Sequence, residues 1–184
     1  TAVNASQAKD AARDVLAGAL AYIPLREAAQ AGRGFTQELA AFRAATEHQP
    51  ALHEAATKLE PLAAQGAPTV NALRESLLEH QAEALRVVDK TEAQNWWQRV
   101  VIELRALVSI RKLHGDVTAD AFSAVTGALT KNNTQAALDA FKNLPVAAQE
   151  NLKDLKSQLE ARQNLDVALQ DIAAHLALTT QAAP

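Results

Sequence analysis

The sequence predicts an all-α protein: an irregular antiparallel helical bundle with long first and last helices and a weakly tetratricopeptide-like hairpin. Three observations carry this reading. Alanine supplies 42 of the 184 residues, and alanine is the strongest helix former. Aromatic residues are only 4% of the chain, and β-branched runs are short. Apolar residues recur every three or four positions, the spacing that lines one face of a helix.

The elements follow in order. Residues 4–31 carry Ala8, Ala12, Val15, Leu16, Ala19, Leu20 and Ile23 at helical spacing. Pro24 lies inside this run. It lacks an N–H and crowds the preceding turn, which predicts a kink or short break. "AGRGF" (31–35) stops the helix, because glycine accepts a left-handed C-terminal cap. Thr36 is a suitable N-cap for a helix over 37–46, with Glu38 in its first turn. Pro50 suits the first position of a helix over 51–64, whose end Pro61 bends. "QGAPT" (65–69) breaks the chain, and Thr69 caps a helix over 70–88 built on Val70, Leu73, Leu77, Leu78 and Leu85. After "DKTEAQ" (89–94) a tryptophan-bearing helix is expected over 92–113, closed by Gly115. Thr118 caps a helix over 119–130, "KNNT" (131–134) turns, and Asn133 or Thr134 caps a short helix to Asn143. Those two short helices form the tetratricopeptide-like hairpin, with no second copy at the 34-residue period that a solenoid needs.

"LP" (144–145) breaks the chain again before a long final helix over 146–178, interrupted near Gln163 and Asn164. Leu152, Leu155 and Leu159 follow one heptad stripe. Leu165, Leu169, Ile172 and Leu176 follow another, shifted by one residue. The shift implies a change of packing partner or a kink. The whole is read as a single helical domain over 1–184. A chain of this length buries roughly 70% of its unfolded surface, enough for its own core.

Composition excludes several functions. The net charge is −3, whereas a general nucleic-acid binder needs an excess of Lys and Arg to displace counterions. There is no cysteine, hence no disulfide, thiol nucleophile or thiolate metal site. No run of about 20 apolar residues is present to span a bilayer. The Ala-rich start, with Lys9, Asp10, Arg13 and Asp14, is not a signal peptide. The absence of methionine implies a mature product or a piece of a longer protein, with any anchor upstream.

Catalytic chemistry has no residues to carry it. His48, His53, His80, His114 and His175 form neither HExxH nor an i, i+4 metal pair, so they read as surface or structural side chains. The carboxylates are scattered over polar faces. "GRGF" is a helix stop rather than a phosphate loop, and no GxSxG elbow occurs. The expectation is a non-enzyme with no cofactor, no metal and no nucleic-acid partner.

One stretch stands apart: "NWWQRVVIELRALVSIRKLHG" (95–115). At about 100° per residue, Trp96, Trp97, Val100, Val101, Leu104, Leu107 and Val108 share one arc of roughly 140°. Arg99, Glu103, Ala106 and Ser109 lie opposite. Arg105 and Lys112 flank the arc, and Arg111 lies within it at the end. Over 99–112 four basic side chains meet one acid, a local +3 in a chain of net −3. In a lipid interface, tryptophan sits at headgroup depth while Arg and Lys meet anionic phosphates. In a core stripe, Arg111 and Lys112 favour the negative end of the helix dipole, and Ile102 and Ile110 make the far side apolar as well. A partner's groove is the third reading. The candidate membrane- or partner-binding residues are Trp96, Trp97, Arg99, Arg105, Arg111 and Lys112.

Four segments occur in a telling order: "GRGFTQELAAF" (32–42), "GAPTVNALRESL" (66–77), "WWQRVVIELRALVSIRKL" (96–113) and "GALTKNNTQAALDAFKNLP" (127–145), followed by the Ala-rich last helix. Together, over about 10–178, they resemble the C-terminal region of bacterial mitofilin-family inner-membrane proteins. Gly34 stands where many members have proline, and the doubled Trp96–Trp97 replaces a single tryptophan. The resemblance implies an N-terminal transmembrane anchor, a coiled coil and this helical domain on the periplasmic side of the bacterial inner membrane. It implies a membrane-organising scaffold that shapes cristae-like invaginations. Its partners would be anionic lipids, further copies of itself through helices, and outer-membrane or periplasmic proteins. Two alternatives remain open: an interaction and oligomerisation module without lipid contact, and an accessory domain associated with haem biosynthesis, for which no haem-ligand spacing is seen.

Overall fold

The computed structural model describes the backbone of residues 2–100 and 110–182 and the side chains of 13–84, 86 and 118–179. Among these residues every regular element is an α-helix: α1 (Ala2–Gln30), α2 (Thr36–Ala45), α3 (Pro50–Thr57), α4 (Glu60–Ala63), α5 (Val70–Val100), α6 (Ile110–Thr130), α7 (Thr134–Phe141), α8 (Val146–Asn151) and α9 (Lys153–Ala182). The all-α class is therefore the observed one. The chain divides into two compact units, residues 1–69 with 161–184 and residues 70–160.

The first unit packs α1–α4 with the later part of α9. Its core holds Tyr22, Leu25, Phe35, Phe42, Leu52 and Leu59 with Leu165, Leu169, Ile172 and Leu176. Tyr22 ties α1 to α9 and α2: its hydroxyl donates to the Leu169 carbonyl at 2.9 Å, and its ring meets Phe42 at 6.2 Å between centroids in a tilted arrangement. Burial pushes the Tyr22 hydroxyl pKa up, opposed by the charge of Arg26.

α1 runs unbroken through Pro24, so the expected break there is absent. Pro24 is exposed, where water can satisfy the carbonyl that its missing N–H leaves free. The buried face of α1 also differs from expectation. Leu16, Leu20 and Ile23 point outward, while Gly18, Tyr22, Leu25, Ala28 and Ala29 are buried. Two stripes of the same spacing lie on opposite sides of this helix, and the one that begins at Gly18 faces the core. At Gly18 a Cβ would stand 3.0 Å from Thr46 Cγ2, so the small residue permits a close approach.

The "AGRGF" stop is as expected. Gly32 is left-handed, with φ of +71°, and the Arg33 N–H donates to the Ala28 carbonyl at 3.2 Å, which closes the helix end. Thr36 is not the N-cap of α2. Phe35 holds that position, and Thr36 Oγ1 donates to the Ala63 carbonyl at 3.1 Å. The expected helix over 51–64 is two helices. Pro61 cannot donate back along the chain, and the turn between them is held by three-residue steps from Leu59 N–H to Ala56 O and Leu62 N–H to Leu59 O, both 3.0 Å.

The 31–35 and 64–69 loops press backbone against backbone. The Phe35 N–H donates to Ala63 O at 2.7 Å. A Cβ added at Gly34 would lie 2.5 Å from Ala64 O, and one at Gly66 the same distance from Arg33 O. Gly34 thus allows a backbone contact that any side chain would obstruct.

The second unit packs α5–α8 with the start of α9, around Leu73, Leu77, Phe122, Val125, Leu129, Phe141, Leu144, Leu152, Leu155 and Leu159. α5 continues through "DKTEAQ" to Val100. Polarity alone does not stop a helix; this stretch has neither glycine nor proline and contains Lys, Glu, Ala and Gln, all good helix formers. α6 likewise continues through Gly115, and Thr118 is a buried mid-helix residue rather than a cap.

After α6, Asn132 adopts φ of 53°, a conformation that asparagine tolerates. Asn133 caps α7 by accepting from the Ala136 N–H at 2.9 Å. The last helix breaks at Leu152, which ends α8, and α9 passes Gln163 and Asn164 without interruption. The heptad shift marks a change of packing partner: Leu152, Leu155 and Leu159 serve the second core, while Leu165, Leu169, Ile172 and Leu176 serve the first.

Candidate membrane- or partner-binding segment

The tryptophan-bearing stretch joins two helices of the second unit. The backbone of Trp96, Trp97 and Arg99 belongs to the last turns of α5, and that of Arg111 and Lys112 to the start of α6. Arg105 lies outside the described residues, and so do the side chains of the other five candidates. Of the expected helix over 92–113, residues 92–100 are helical within α5 and 110–113 within α6, and 101–109 lie outside the described residues. Because α6 runs on to Thr130, Arg111 and Lys112 are not at a helix C-terminus, and the dipole argument for them fails.

Further along the same pair, α5 and α6 enclose a shallow groove of about 500 Å³, lined by Leu78 and Gln81 on one side and Ala119, Ser123, Thr126, Gly127, Thr130 and Lys131 on the other. Lys131 is its one charged lining residue. Small and hydroxylated side chains suit contact with an apolar or backbone surface and offer no acid–base pair. Leu78 is 52% exposed.

Elsewhere the polar groups act as struts. In the first unit, Arg43 pairs with Glu60 and holds His53 Nε2 at 3.0 Å from its second guanidinium nitrogen, tying α2 to α3 and α4. His53 accepts there, since arginine has only donors. Lys58 reaches Asp171 at 3.0 Å. His80 and His175 bond through Nδ1 to the carbonyls of Ser76 and Asp171, both at 2.8 Å, one turn back on their own helices. Arg162 is buried and pairs with Asp166 at 3.0 Å. In the second unit Asp139 accepts from Lys142 and Gln135, and these hydrogen bonds hold its carboxyl below the usual range.

Among the described residues no group of three His, Cys, Asp or Glu side chains is placed to hold a metal ion. No helix among them is long and apolar enough to cross a membrane. The surface that the sequence reading missed is the outward stripe of α1, Leu16, Leu20 and Ile23, 54–60% exposed. Its signal was present: Gly18, Tyr22, Leu25 and Ala29 repeat the same spacing two residues later and claim the core. Compared with family models, curated proteins and solved structures, the chain matches none.

Proposed function

We propose that the chain is a non-enzymatic scaffold domain that organises membrane, acting by lipid contact and by self-association through its helices. In this reading it is the periplasmic helical domain of a mitofilin-like protein of the bacterial inner membrane, with outer-membrane or periplasmic proteins as further partners. The observation that carries it is the segment 95–115. Two tryptophans, an apolar arc and a local charge of +3 stand together in a chain of net −3, the combination that suits an anionic lipid interface. The order of four family-like segments over 32–145 adds support from the rest of the chain.

Co-sedimentation with anionic vesicles tests the lipid contact. Binding is expected at low salt, with a fall as salt screens the Arg and Lys charges. Arg105→Glu and Arg111→Glu should each weaken it in protein that keeps its helical circular dichroism. A chain that stays in the supernatant at low salt would rule out lipid contact by this domain.

A further inference from the structure

We propose that the outward face of α1 docks against the same face of a second copy, with the two helices antiparallel. The inference rests on the self-association half of the reading above and requires no lipid. Leu16, Leu20 and Ile23 are 60%, 59% and 54% exposed, at i, i+4 and i+7 on one helix. At about 100° per residue they fall within roughly 60° of one another, a narrow apolar seam of the kind that pairs helices.

What selects a second copy is the charge at the two ends of the seam. Arg13 lies seven residues before Leu20, and Glu27 lies seven residues after it. Both are exposed. From Leu20, Arg13 is turned by about +20° and Glu27 by about −20°, so each stands nearly in line with the seam beyond one of its ends. A twofold axis through Leu20 lays the seam of a second helix antiparallel on the first. It therefore sets Arg13 of each copy at the level of Glu27 of the other, while Leu20 meets Leu20. An interface of this kind is isologous, and both charge pairs form at once. A parallel pair would instead set Arg13 against Arg13 and Glu27 against Glu27. Three half-exposed side chains fall short of the roughly 800 Å² per partner of a standard interface, so the pairing is weak and concentration-dependent.

The test is sedimentation equilibrium of the whole chain at rising concentration, with charge variants and cross-linking. The wild-type chain should dimerise, and Leu20→Asp should abolish the dimer while leaving helical content unchanged. Arg13→Glu and Glu27→Arg should each weaken it roughly three- to tenfold, and the two together should restore it. The chain has no cysteine, so introduced cysteines are unique. With a short bismaleimide, Leu20→Cys should link to itself. Arg13→Cys should link to Glu27→Cys in a mixture and not to itself. A dimer indifferent to Leu20→Asp, or one with self-linked Arg13→Cys, overturns the α1 pairing and leaves self-association through another face. A chain that is monomeric at every concentration overturns both.

Discussion

Two glycine-to-alanine substitutions should move stability in opposite directions, for reasons that lie in the backbone. At Gly66, φ is +75°, and an added Cβ would stand 2.5 Å from Arg33 O, 2.8 Å from Arg33 C and 2.9 Å from Gly32 O. The left-handed conformation costs an alanine about 1–2 kcal/mol. All three clashing atoms are backbone, so no rotamer change relieves them, and the forced shift adds about 1–3 kcal/mol. Gly66→Ala should therefore destabilise the first unit by about 2–5 kcal/mol. At Gly127, inside α6, a Cβ meets nothing within 4 Å. There Gly127→Ala should stabilise the second unit by about 0.8–1 kcal/mol, the helix-propensity difference. Urea denaturation followed by far-UV circular dichroism, with hydrogen exchange to assign each change to its unit, reads both. A neutral Gly66→Ala, or a destabilising Gly127→Ala, would refute the account of the crossed loops or of the open α6 face.

Tyr22→Phe removes a buried hydrogen bond to the Leu169 carbonyl and should cost about 0.5–1.5 kcal/mol at neutral pH. The raised pKa of Tyr22 means that its contribution is present below the ordinary value of 10.0 and is lost as pH rises through the folded value. The gap between wild type and Tyr22→Phe in urea midpoint should accordingly close in strong alkali. Asn133→Ala removes the α7 cap and should cost about 1 kcal/mol, with faster amide exchange at Ala136 as the local readout. Asp139 is held below its usual 3.8 by Lys142 and Gln135. Its contribution is present above that value and disappears as pH falls through the folded one. The difference between wild type and Asp139→Asn should fade in acid, measured as midpoints across a pH series.

Helix content and most breaks were legible because they depend on local chemistry: Gly32, Gly66, Asn133 and Pro145 act through their own backbone. The shifted leucine stripes of the last helix were legible as a change of partner, since each stripe must face one core. Other features depend on what lies across the gap. α1 carries two seams of equal spacing, and the buried one has Gly18 where Thr46 and Leu176 come close. "DKTEAQ" reads as a linker by polarity, yet a solvated helix face is polar too. The close crossing of the two glycine loops joins residues about 30 apart and has no signature in either loop. For the candidate site, composition and charge were legible in 95–115, but the face that it presents depends on neighbours that the stretch itself does not specify.

The most direct measurement uses the fact that Trp96 and Trp97 are the chain's only tryptophans. Anionic vesicles should shift their emission to the blue, and lipids brominated at shallow acyl positions should quench it, as expected for rings at headgroup depth. Neutral vesicles or high salt should remove both effects. Emission that is unmoved by anionic vesicles under conditions where the chain co-sediments would contradict lipid contact through this segment.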